Sequence, residues 1–312
     1  MALPLSISRA RTTFAAALMG LSATAMAQAT FTFSTAQRGP VIGPRHYGIF
    51  YEEINHAGDG GIYAELIRNG SMEENSRNPD YWWTLGDATF SISSQNLLND
   101  VQKRSMHLNL TKEGDGVRNI GYWGINVVSG QTYKVSFWLR TADEWTGDVT
   151  LTLESYGGAD LGHTTLHVED AAAWRKYTAE ITATGDDGQG WFAIRGSRAG
   201  TLYLDCVSLF PPTFKDRPNG MRRDLAEKLA ALHPRFMRFP GGCYIEGGKR
   251  YQWRHTVGPV EQRFGIYNSH WGYPVSNGMG FHEFLQLAED LGAEPLFVVN
   301  VGMGHGWYED YR

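Results

Sequence analysis

The middle of the chain alternates apolar and polar side chains residue by residue, and this pattern constrains the fold more than any other. Tyr133, Val135, Phe137 and Leu139 alternate with Lys134, Ser136 and Arg140, and the same alternation recurs in runs at 149–153, 177–181 and 202–204. Gly and Asp turns separate the runs, and no helical period interrupts them between residues 95 and 210. A two-residue period in short runs is typical of antiparallel sheets with one buried face. We therefore predict a β-sandwich over residues 85–212.

On either side of this region, strand patterns alternate with helical ones. The predicted strands cover residues 47–54, 236–239 and 294–301, and the predicted helices cover 62–67, 221–232 and 281–291, the last ending at Gly292. A further short strand is expected at residues 31–33. Strands that alternate with helices predict an α/β layer with parallel strands, in which functional side chains gather at the carboxyl ends of the strands.

The N-terminus has the pattern of an export signal. Arg9 and Arg11 precede an apolar run over residues 14–27, and Ala25-Met26-Ala27 offers a cleavage site. We interpret residues 1–27 as a signal peptide, with an amphipathic terminal helix as the alternative. The protein is then periplasmic or extracellular, with no membrane attachment after cleavage. Its net charge of −5 and the lack of a long basic run argue against nucleic acid as a partner.

Neither a metal nor a cofactor is predicted. The ten histidines form no His-Glu-x-x-His motif, and no group has ligand-like spacing. A structural Ca²⁺ at Asp205 stays open as an alternative, although one carboxylate is far short of the six to eight oxygens that Ca²⁺ takes. Cys206 and Cys243 fall in different predicted domains, and whether they form a disulfide is also left open.

Two motifs suggest a binding pocket at the strand ends. Residues 236–239 lead into Pro240-Gly241-Gly242-Cys243, where the glycines let backbone approach a ligand closely. Glu52 and Glu53 end the first predicted strand. Since neighbouring strand residues face opposite ways, only one of the two can enter a given pocket. The alternation alone leaves open which of the two enters the pocket, and the other is then structural.

Four motifs together resemble the α-L-arabinofuranosidases of glycoside hydrolase family 51. They are Tyr47-Gly-Ile-Phe-Tyr-Glu-Glu-Ile-Asn-His-Ala-Gly-Asp-Gly-Gly61, Arg238-Phe-Pro-Gly-Gly-Cys243, Trp271…Asn277-Gly-Met-Gly280, and Gly292-Ala-Glu-Pro295…Val299-Asn-Val-Gly302. The central sandwich resembles a carbohydrate-binding jelly roll of the family 4/9 type. The resemblance implies the front part of a (β/α)₈ TIM barrel with an inserted antiparallel β-sandwich. Residues 28–84 would form the first βα unit, 85–212 the insert, and 213–312 the second and third strands, truncated at the C-terminus.

The resemblance also implies a substrate-binding role for four residues, namely Glu52, Cys243, Trp271 and Asn300. Glu52 would accept hydrogen bonds from sugar hydroxyls, with pairing to Arg238 as the structural alternative. Cys243 would form part of the pocket wall or serve only in the turn. Trp271 would border the sugar or pack within its loop, and Asn300 would contact the sugar or support the residues that do.

On this basis the parent protein is an exported retaining α-L-arabinofuranosidase that removes terminal arabinofuranosyl groups from plant hemicellulose or arabinan. Its partner is an arabinose-containing polysaccharide or oligosaccharide. The resemblance places the acid/base and the nucleophile after residue 312, so we assign no catalytic residue here and expect the chain to bind sugar without hydrolysing it. An endoglucanase of the same family and a non-catalytic carbohydrate-binding fragment are the alternatives. The sequence leaves the oligomeric state undetermined.

Overall fold

The computed structural model describes residues 30–36, 38–142, 144–169, 172–247 and 251–304. The predicted signal peptide lies outside these residues. The chain divides into two compact units, Met1–Gly43 and Pro44–Arg312. The described part of the first unit contains no strand, so the strand predicted at 31–33 is wrong. Phe31 and Phe33 are 86% and 84% exposed, and without a paired neighbour such a short extended segment is not a strand.

The second unit begins with a strand shorter than predicted. Strand β1 covers Ile49–Phe50 only, and the chain turns soon afterwards because Asn55 and His56 have left-handed backbone, with φ of 52° and 59°. A tight turn over Gly58–Ile62 follows.

The helix predicted at 62–67 does not form. Ala64 donates its N–H to Gly220 O at 3.1 Å and Leu66 donates to Leu209 O at 3.0 Å, so this segment is extended and pairs with the chain that leaves the insert. Six residues are too few to nucleate a helix without tertiary support.

The insert is a sandwich of two antiparallel sheets. Its strands are β2 (Trp82–Leu85), β3 (Thr89–Ser93), β4 (Ser105–Leu110), β5 (Gly116–Asn119), β6 (Ile125–Val127), β7 (Thr132–Thr141), β8 (Gly147–Glu154), β9 (Asp160–Val168), β10 (Arg175–Thr182), β11 (Asp187–Gly196) and β12 (Gly200–Phe210). One sheet has the order β10-β7-β12-β4-β3 and the other β2-β5-β11-β8-β9, with β6 paired to β11. Phe137, Leu139, Leu151 and Phe192 are fully buried between them. The predicted alternation is thus the core pattern of the sandwich.

Glu65 holds the entrance and the exit of the insert side by side. One carboxylate oxygen accepts hydrogen bonds from the backbone N–H groups of Ile67 and Leu209, both at 2.9 Å, and the other accepts from the Ser208 hydroxyl at 2.6 Å. Burial raises the pKa of this carboxyl to about 7, against the opposing effect of these hydrogen bonds. The Glu65 side chain therefore joins the segments that enter and leave the sandwich, in addition to their backbone hydrogen bonds.

The chain after the insert returns to alternating helices and strands. The elements are α1 (Arg223–Ala231), β13 (Phe236–Phe239), α2 (Gly242–Ile245), β14 (Ile266–Asn268), β15 (Tyr273–Val275), α3 (Phe281–Leu291) and β16 (Glu294–Phe297). Strands β14 and β15 form a hairpin, and β1, β13 and β16 form a parallel sheet with β13 in the centre. The predictions for β13 and α3 are confirmed, and Gly292 ends α3 in the left-handed conformation with φ of 65°.

Helix α3 covers the parallel sheet. Phe284 of the helix stacks on Phe239 of β13 with ring centroids 5.1 Å apart, and Met237 and Leu287 are buried with them. Strand β16 is four residues rather than the predicted eight, and its Leu296 is 50% exposed. The prediction that this strand is covered on both faces is wrong for the described residues, because all four residues of β16 are exposed. Among those residues β16 is also an edge strand, paired with β13 alone.

A buried ion pair fixes the long loop between α2 and α3. The Arg263 guanidinium donates two hydrogen bonds to the Glu283 carboxylate, at 2.8 and 2.9 Å, and both side chains are at most 4% exposed. Arg263 also donates to the carbonyls of Gly258 and Gly278 at 2.9 and 2.7 Å, and Asn219 donates to Glu283 at 2.7 Å. Burial opposes ionisation of Glu283, but the hydrogen bonds from Arg263 outweigh it and lower the pKa of this carboxyl.

We expect Arg263→Met to lower the free energy of unfolding by about 3–5 kcal/mol, because it leaves a buried carboxylate without its cation. The measurement is denaturant unfolding followed by circular dichroism. The matched control is Lys112→Met, which breaks the Lys112–Asp87 pair at 2.6 Å, where the two side chains are 61% and 68% exposed. That change should cost far less, because solvent screens an exposed pair. Equal losses in the two variants would contradict this account of the loop.

Candidate functional site

The carboxyl ends of the three parallel strands lie at one edge of the sheet. The ladder continues past β1, where Tyr51 N–H donates to Arg238 O at 3.0 Å, and past β13, where Phe239 O accepts from Val298 N–H at 2.9 Å. The residues that follow the strands are Glu52, the turn at Gly241 and, after β16, Asn300. Side chains from distant parts of the sequence are thereby brought to one place, as is usual for sites in parallel sheets.

The Glu52 carboxylate packs against the backbone of Gly241. A Cβ atom on residue 241 would collide with both carboxylate oxygens of Glu52, so the carboxylate occupies space that the glycine leaves open. No hydrogen bond and no ion pair from the described residues engages this carboxylate. Burial raises the pKa of the Glu52 carboxyl, and the charge of Arg238 opposes the rise. The expected alternative of a direct pair with Arg238 is not formed; its guanidinium lies 4.8 Å from the centre of the Phe50 ring.

Cys243 lies beside Glu52 at the start of helix α2. Cys243 follows Gly241, the residue against which the Glu52 carboxylate packs, by two positions. Burial raises the pKa of the Cys243 thiol, and the charge of Glu52 raises it further. Both Cys206 and Cys243 are free thiols, so the disulfide left open above is absent between these two residues. The structure therefore brings together two of the four predicted site residues, Glu52 and Cys243.

Asn300 uses its side chain to brace the backbone. Its amide nitrogen donates to Ile245 O and Met303 O, both at 2.6 Å, and its oxygen accepts from the N–H groups of Gly302 and Met303. This arrangement fixes the turn after β16 against the end of α2. It favours the supporting role over direct contact with a sugar.

Trp271 lies in the turn between β14 and β15. Its backbone N–H donates to Asn268 Oδ1 at 3.2 Å, and its indole N–H is buried without a hydrogen-bond partner in the described part of the chain. No ring contact or hydrogen bond among those residues joins it to Glu52 or Cys243. Its contact with a sugar stays a prediction.

Glu53 faces a different set of groups, as strand alternation requires. Its carboxylate accepts a hydrogen bond from the Tyr273 hydroxyl at 2.9 Å and another from Asp59 N–H at 2.9 Å. Asp59 is itself buried, and its carboxylate accepts from the backbone N–H and the hydroxyl of Ser276 at 2.6 and 2.9 Å. The two acids thus tie the turn after β1 to the β14–β15 hairpin.

The pKa values of this buried acid pair are displaced upward. Burial, followed by the charge of Asp59, raises the pKa of Glu53 to about 8, and burial raises the pKa of Asp59 as well. The Tyr51 hydroxyl beside them is buried with no hydrogen-bond partner among the described residues. Sequence reasoning missed this cluster because Tyr273 and Ser276 are more than 200 positions away from Glu53 and Asp59. The feature of the sequence that could have indicated this cluster was an acidic residue, Asp59, within a glycine-rich turn.

Trp123 of the sandwich contacts the turn that follows β1. The indole N–H of Trp123 donates to Gly60 O at 3.1 Å, and its ring lies 5.8 Å from that of His56. His56 stacks on Tyr273 at 3.9 Å, while Trp123 is 62% exposed. An exposed tryptophan of the insert therefore stands beside the turn that follows Glu53, a placement that the sequence did not predict.

A larger cavity of about 1190 Å³ lies elsewhere, against the outer face of the sheet that contains β7 and β10. Its lining includes Trp138, Lys176, Glu261 and Tyr267 and none of the four predicted site residues. Buried acids also line this cavity, among them Glu65 and Glu74, but size alone does not make it the predicted site.

Comparison with known proteins shows which family this chain resembles. An exo-α-L-arabinofuranosidase of Streptomyces chartreusis, described as extracellular, is 38% identical over 307 residues, which cover 90% of this chain and 36% of that protein. α-L-Arabinofuranosidase 1 of Arabidopsis thaliana is 34% identical over 83% of the chain and 41% of its own length. The solved structure of an arabinose-bound MgGH51 α-L-arabinofuranosidase superimposes with a TM-score of 0.79 at 34% identity, over 83% of this chain and 44% of that one.

Over most of its length, the chain is similar to the α-L-arabinofuranosidases of glycoside hydrolase family 51. Within it, residues 228–310 match the α-L-arabinofuranosidase 1 domain and residues 64–201 match a carbohydrate-binding domain. The inserted sandwich is thus supported by sequence as well as by fold. The chain spans less than half the length of the arabinofuranosidases it matches.

Among the described residues, no three His, Cys, Asp or Glu side chains come together as a metal-binding group. None of the helices described here has the length and apolar character to cross a membrane.

The raised pKa of Glu53 predicts a pH-dependent stability. Because the folded pKa of about 8 exceeds the unfolded value near 4.3, the folded state holds the proton more tightly. This contribution is complete below the unfolded pKa and is lost as the pH rises through the folded one. From about pH 5 to pH 8 we expect wild-type stability to fall by roughly 2–4 kcal/mol more than that of Glu53→Gln, measured by urea unfolding.

Some slope should remain in Glu53→Gln, because burial also raises the pKa of Glu65 and of Glu74 to about 7. Parallel stability curves for the wild type and the variant would show that Glu53 is ionised in the folded protein.

Proposed function

We propose that this chain supplies the strand ends that hold a terminal arabinofuranosyl group in an exported, retaining α-L-arabinofuranosidase. The substrate is an arabinose-substituted plant polysaccharide, such as hemicellulose or arabinan, or an oligosaccharide derived from it. The names of the relatives support this activity, and the word extracellular in one of them agrees with an exported protein.

The observation that carries the proposal is the unengaged carboxylate of Glu52 at the strand ends. Most carboxylates in this part of the fold are held by protein groups, as Glu53, Asp59 and Glu283 illustrate. Glu52 instead lies against a glycine turn with its acceptor capacity open to a ligand. An ionised carboxylate is an acceptor only, and its hydrogen bonds to hydroxyls are short and strong. It therefore suits a sugar that presents neighbouring hydroxyl groups.

This role is to bind and orient the sugar, and the chemical step belongs to other groups. Retention of configuration uses two carboxyl groups, a nucleophile and an acid/base, about 5–5.5 Å apart across the scissile bond. Glu52 and Glu53 do not form such a pair, because strand alternation turns them to different surroundings. Energy from binding the glycone fixes the scissile bond relative to the catalytic pair and so contributes to the rate.

The parallel sheet is proposed to be part of a (β/α)₈ barrel. Helix α1 lies between β1 and β13 in the chain, and α3 lies between β13 and β16, with each strand beside its predecessor in the sheet. This repetition of strand and helix is the unit from which such barrels are built, and in such a barrel Glu52 and Cys243 would follow strand carboxyl ends, where functional groups lie.

Replacing Glu52 with glutamine should weaken sugar binding while preserving the shape of the site. We expect Glu52→Gln to lower the affinity of the chain for arabinose or an arabinofuranosyl oligosaccharide by about 10–100-fold, the loss of a charged hydrogen bond. Isothermal titration calorimetry or ligand-observed NMR measures this. In a protein that spans the full length of its relatives, the same change should lower kcat/KM for p-nitrophenyl α-L-arabinofuranoside by a similar factor.

Glu53→Gln is the matched control, because it makes the same chemical change one residue further along. Glutamine resembles the protonated form that burial favours at this position, so sugar affinity should change little. Loss of binding in Glu53→Gln with retention in Glu52→Gln would reverse our assignment of the two side chains. Unchanged binding in both would refute the proposed role of this edge.

A further inference from the structure

A small cavity lies among the elements that meet at the strand ends. Its volume is about 30 Å³. The residue after β13, the hairpin, helix α3 and the loop that follows α2 all contribute to its wall, through Pro240, Val275, Phe284 and Trp253. We call it the strand-end cavity. None of the four predicted site residues lines it, so it is separate from the proposed sugar site.

Two polar atoms of residues in this wall have no hydrogen-bond partner among the described residues. They are the hydroxyl oxygen of Tyr51 and the indole nitrogen of Trp253, and both atoms are buried. Their rings are held by packing, since Tyr51 lies 5.5 Å from Phe284, and Trp253 lies edge-on to Phe284 at 5.9 Å and to Phe239 at 6.0 Å. Buried polar groups are rarely left unpaired, so two of them on one cavity indicate a bound molecule that pairs with both.

The Tyr51 hydroxyl shares its surroundings with the Glu53 carboxylate. A Cβ atom on residue 58, which is glycine, would lie 2.1 Å from Glu53 Oε2 and 3.4 Å from Tyr51 Oη, so the two oxygens lie near the same point. Two hydrogen bonds of about 2.8 Å in sequence span the greatest separation that these distances allow. One small molecule can therefore bond to both oxygens.

The groups on the wall define what can occupy the cavity. The Trp253 indole nitrogen only donates hydrogen bonds, which argues against a cation. Glu53 and Asp59 also line the wall, and their carboxyl groups argue against an anion. The Tyr51 hydroxyl can donate and accept. A neutral molecule that does both satisfies all of these groups, and a volume of about 30 Å³ limits it to the size of water.

We propose that the strand-end cavity is a binding site for water. The bound water accepts a hydrogen bond from Trp253 Nε1, bonds to the Tyr51 hydroxyl and donates to the Glu53 carboxylate. About three hydrogen bonds are usual for a buried water. The water joins the loop that follows α2 to the end of β1, and it adds to the hydroxyl and backbone donors that already hold Glu53.

The first test is a nuclear Overhauser effect between water and the Trp253 indole proton in the 312-residue chain. In the rotating frame we expect a cross-peak opposite in sign to the diagonal, which excludes exchange of the indole proton itself. In the laboratory frame its sign should match the diagonal, because a bound water tumbles with the protein. Trp253→Phe identifies the signal by removing it.

Trp123 is the control in the same spectrum, because its indole N–H already donates to Gly60 O at 3.1 Å. It should give no cross-peak to a bound water. A resolved Trp253 signal that likewise gives none would overturn the proposal.

The second test replaces the Tyr51 hydroxyl, and the sign of the change decides. With water in the cavity, Tyr51→Phe removes a hydrogen bond and should lower the melting temperature by about 2–4 °C. In a dry cavity the same change removes an unpaired buried hydroxyl and should raise it. An unchanged or raised melting temperature is therefore incompatible with the proposal. Tyr156→Phe is the matched control, since Tyr156 is 69% exposed and the variant should melt as the wild type does.

Salt distinguishes water from a bound metal cation. The melting temperature in sodium or potassium chloride should equal that in choline chloride at the same concentration. Additional stabilisation by either metal ion would place a cation in the cavity and contradict the choice of water. None of these measurements involves a sugar, so their outcome is independent of the proposed function.

Discussion

The arrangement of the strand-end region depends on the buried ion pair between Arg263 and Glu283. The long segment between α2 and α3 has little regular structure, and on its own it would sample many conformations. The pair gives it one, because the guanidinium binds the carboxylate and two loop carbonyls at once, and the carboxylate also binds Asn219 and the N–H of Gly280. Each nitrogen of the guanidinium and each oxygen of the carboxylate has a hydrogen-bond partner. A buried charge pair can specify a structure under this condition.

The same loop delivers Tyr273 and Ser276 to the acids after β1. Glu53 and Asp59 would each be costly to bury alone, and they are tolerated because hydroxyl and backbone donors from the hairpin meet them. The buried acids Glu53 and Asp59 lie to one side of the strand end. Glu52 faces the other side, where no described residue forms a hydrogen bond or an ion pair with it. One strand end thus serves two purposes under the proposed function, since Glu53 is held by protein groups while its neighbour Glu52 is left for the sugar.

Local pattern predicted the elements whose signals are contained within one segment. The alternation in the sandwich, the strand over Phe236–Phe239 and the helix over Phe281–Leu291 with its glycine end were all present in short stretches of sequence. The predictions failed for segments whose conformation is determined by tertiary contacts. Residues 62–67 look helical by composition, but they are extended because residues 209 and 220 offer hydrogen bonds to their backbone. The partners of Glu53 and the bracing bonds of Asn300 come from remote parts of the chain, and no spacing rule indicates them.

Glu65 has a consequence for the history of this architecture. Because one carboxylate joins Ile67, at the entrance to the sandwich, to Ser208 and Leu209, at its exit, more than a hundred residues leave and rejoin the parallel layer at nearly the same point. An ancestral enzyme could therefore gain a whole domain in one recombination event without stretching its original fold, since closely spaced ends are what make a domain insertion tolerable. The segment between the clasped ends is then a unit that evolution can exchange, lengthen or redirect toward a new polymer while the parallel strands keep their sequence and task.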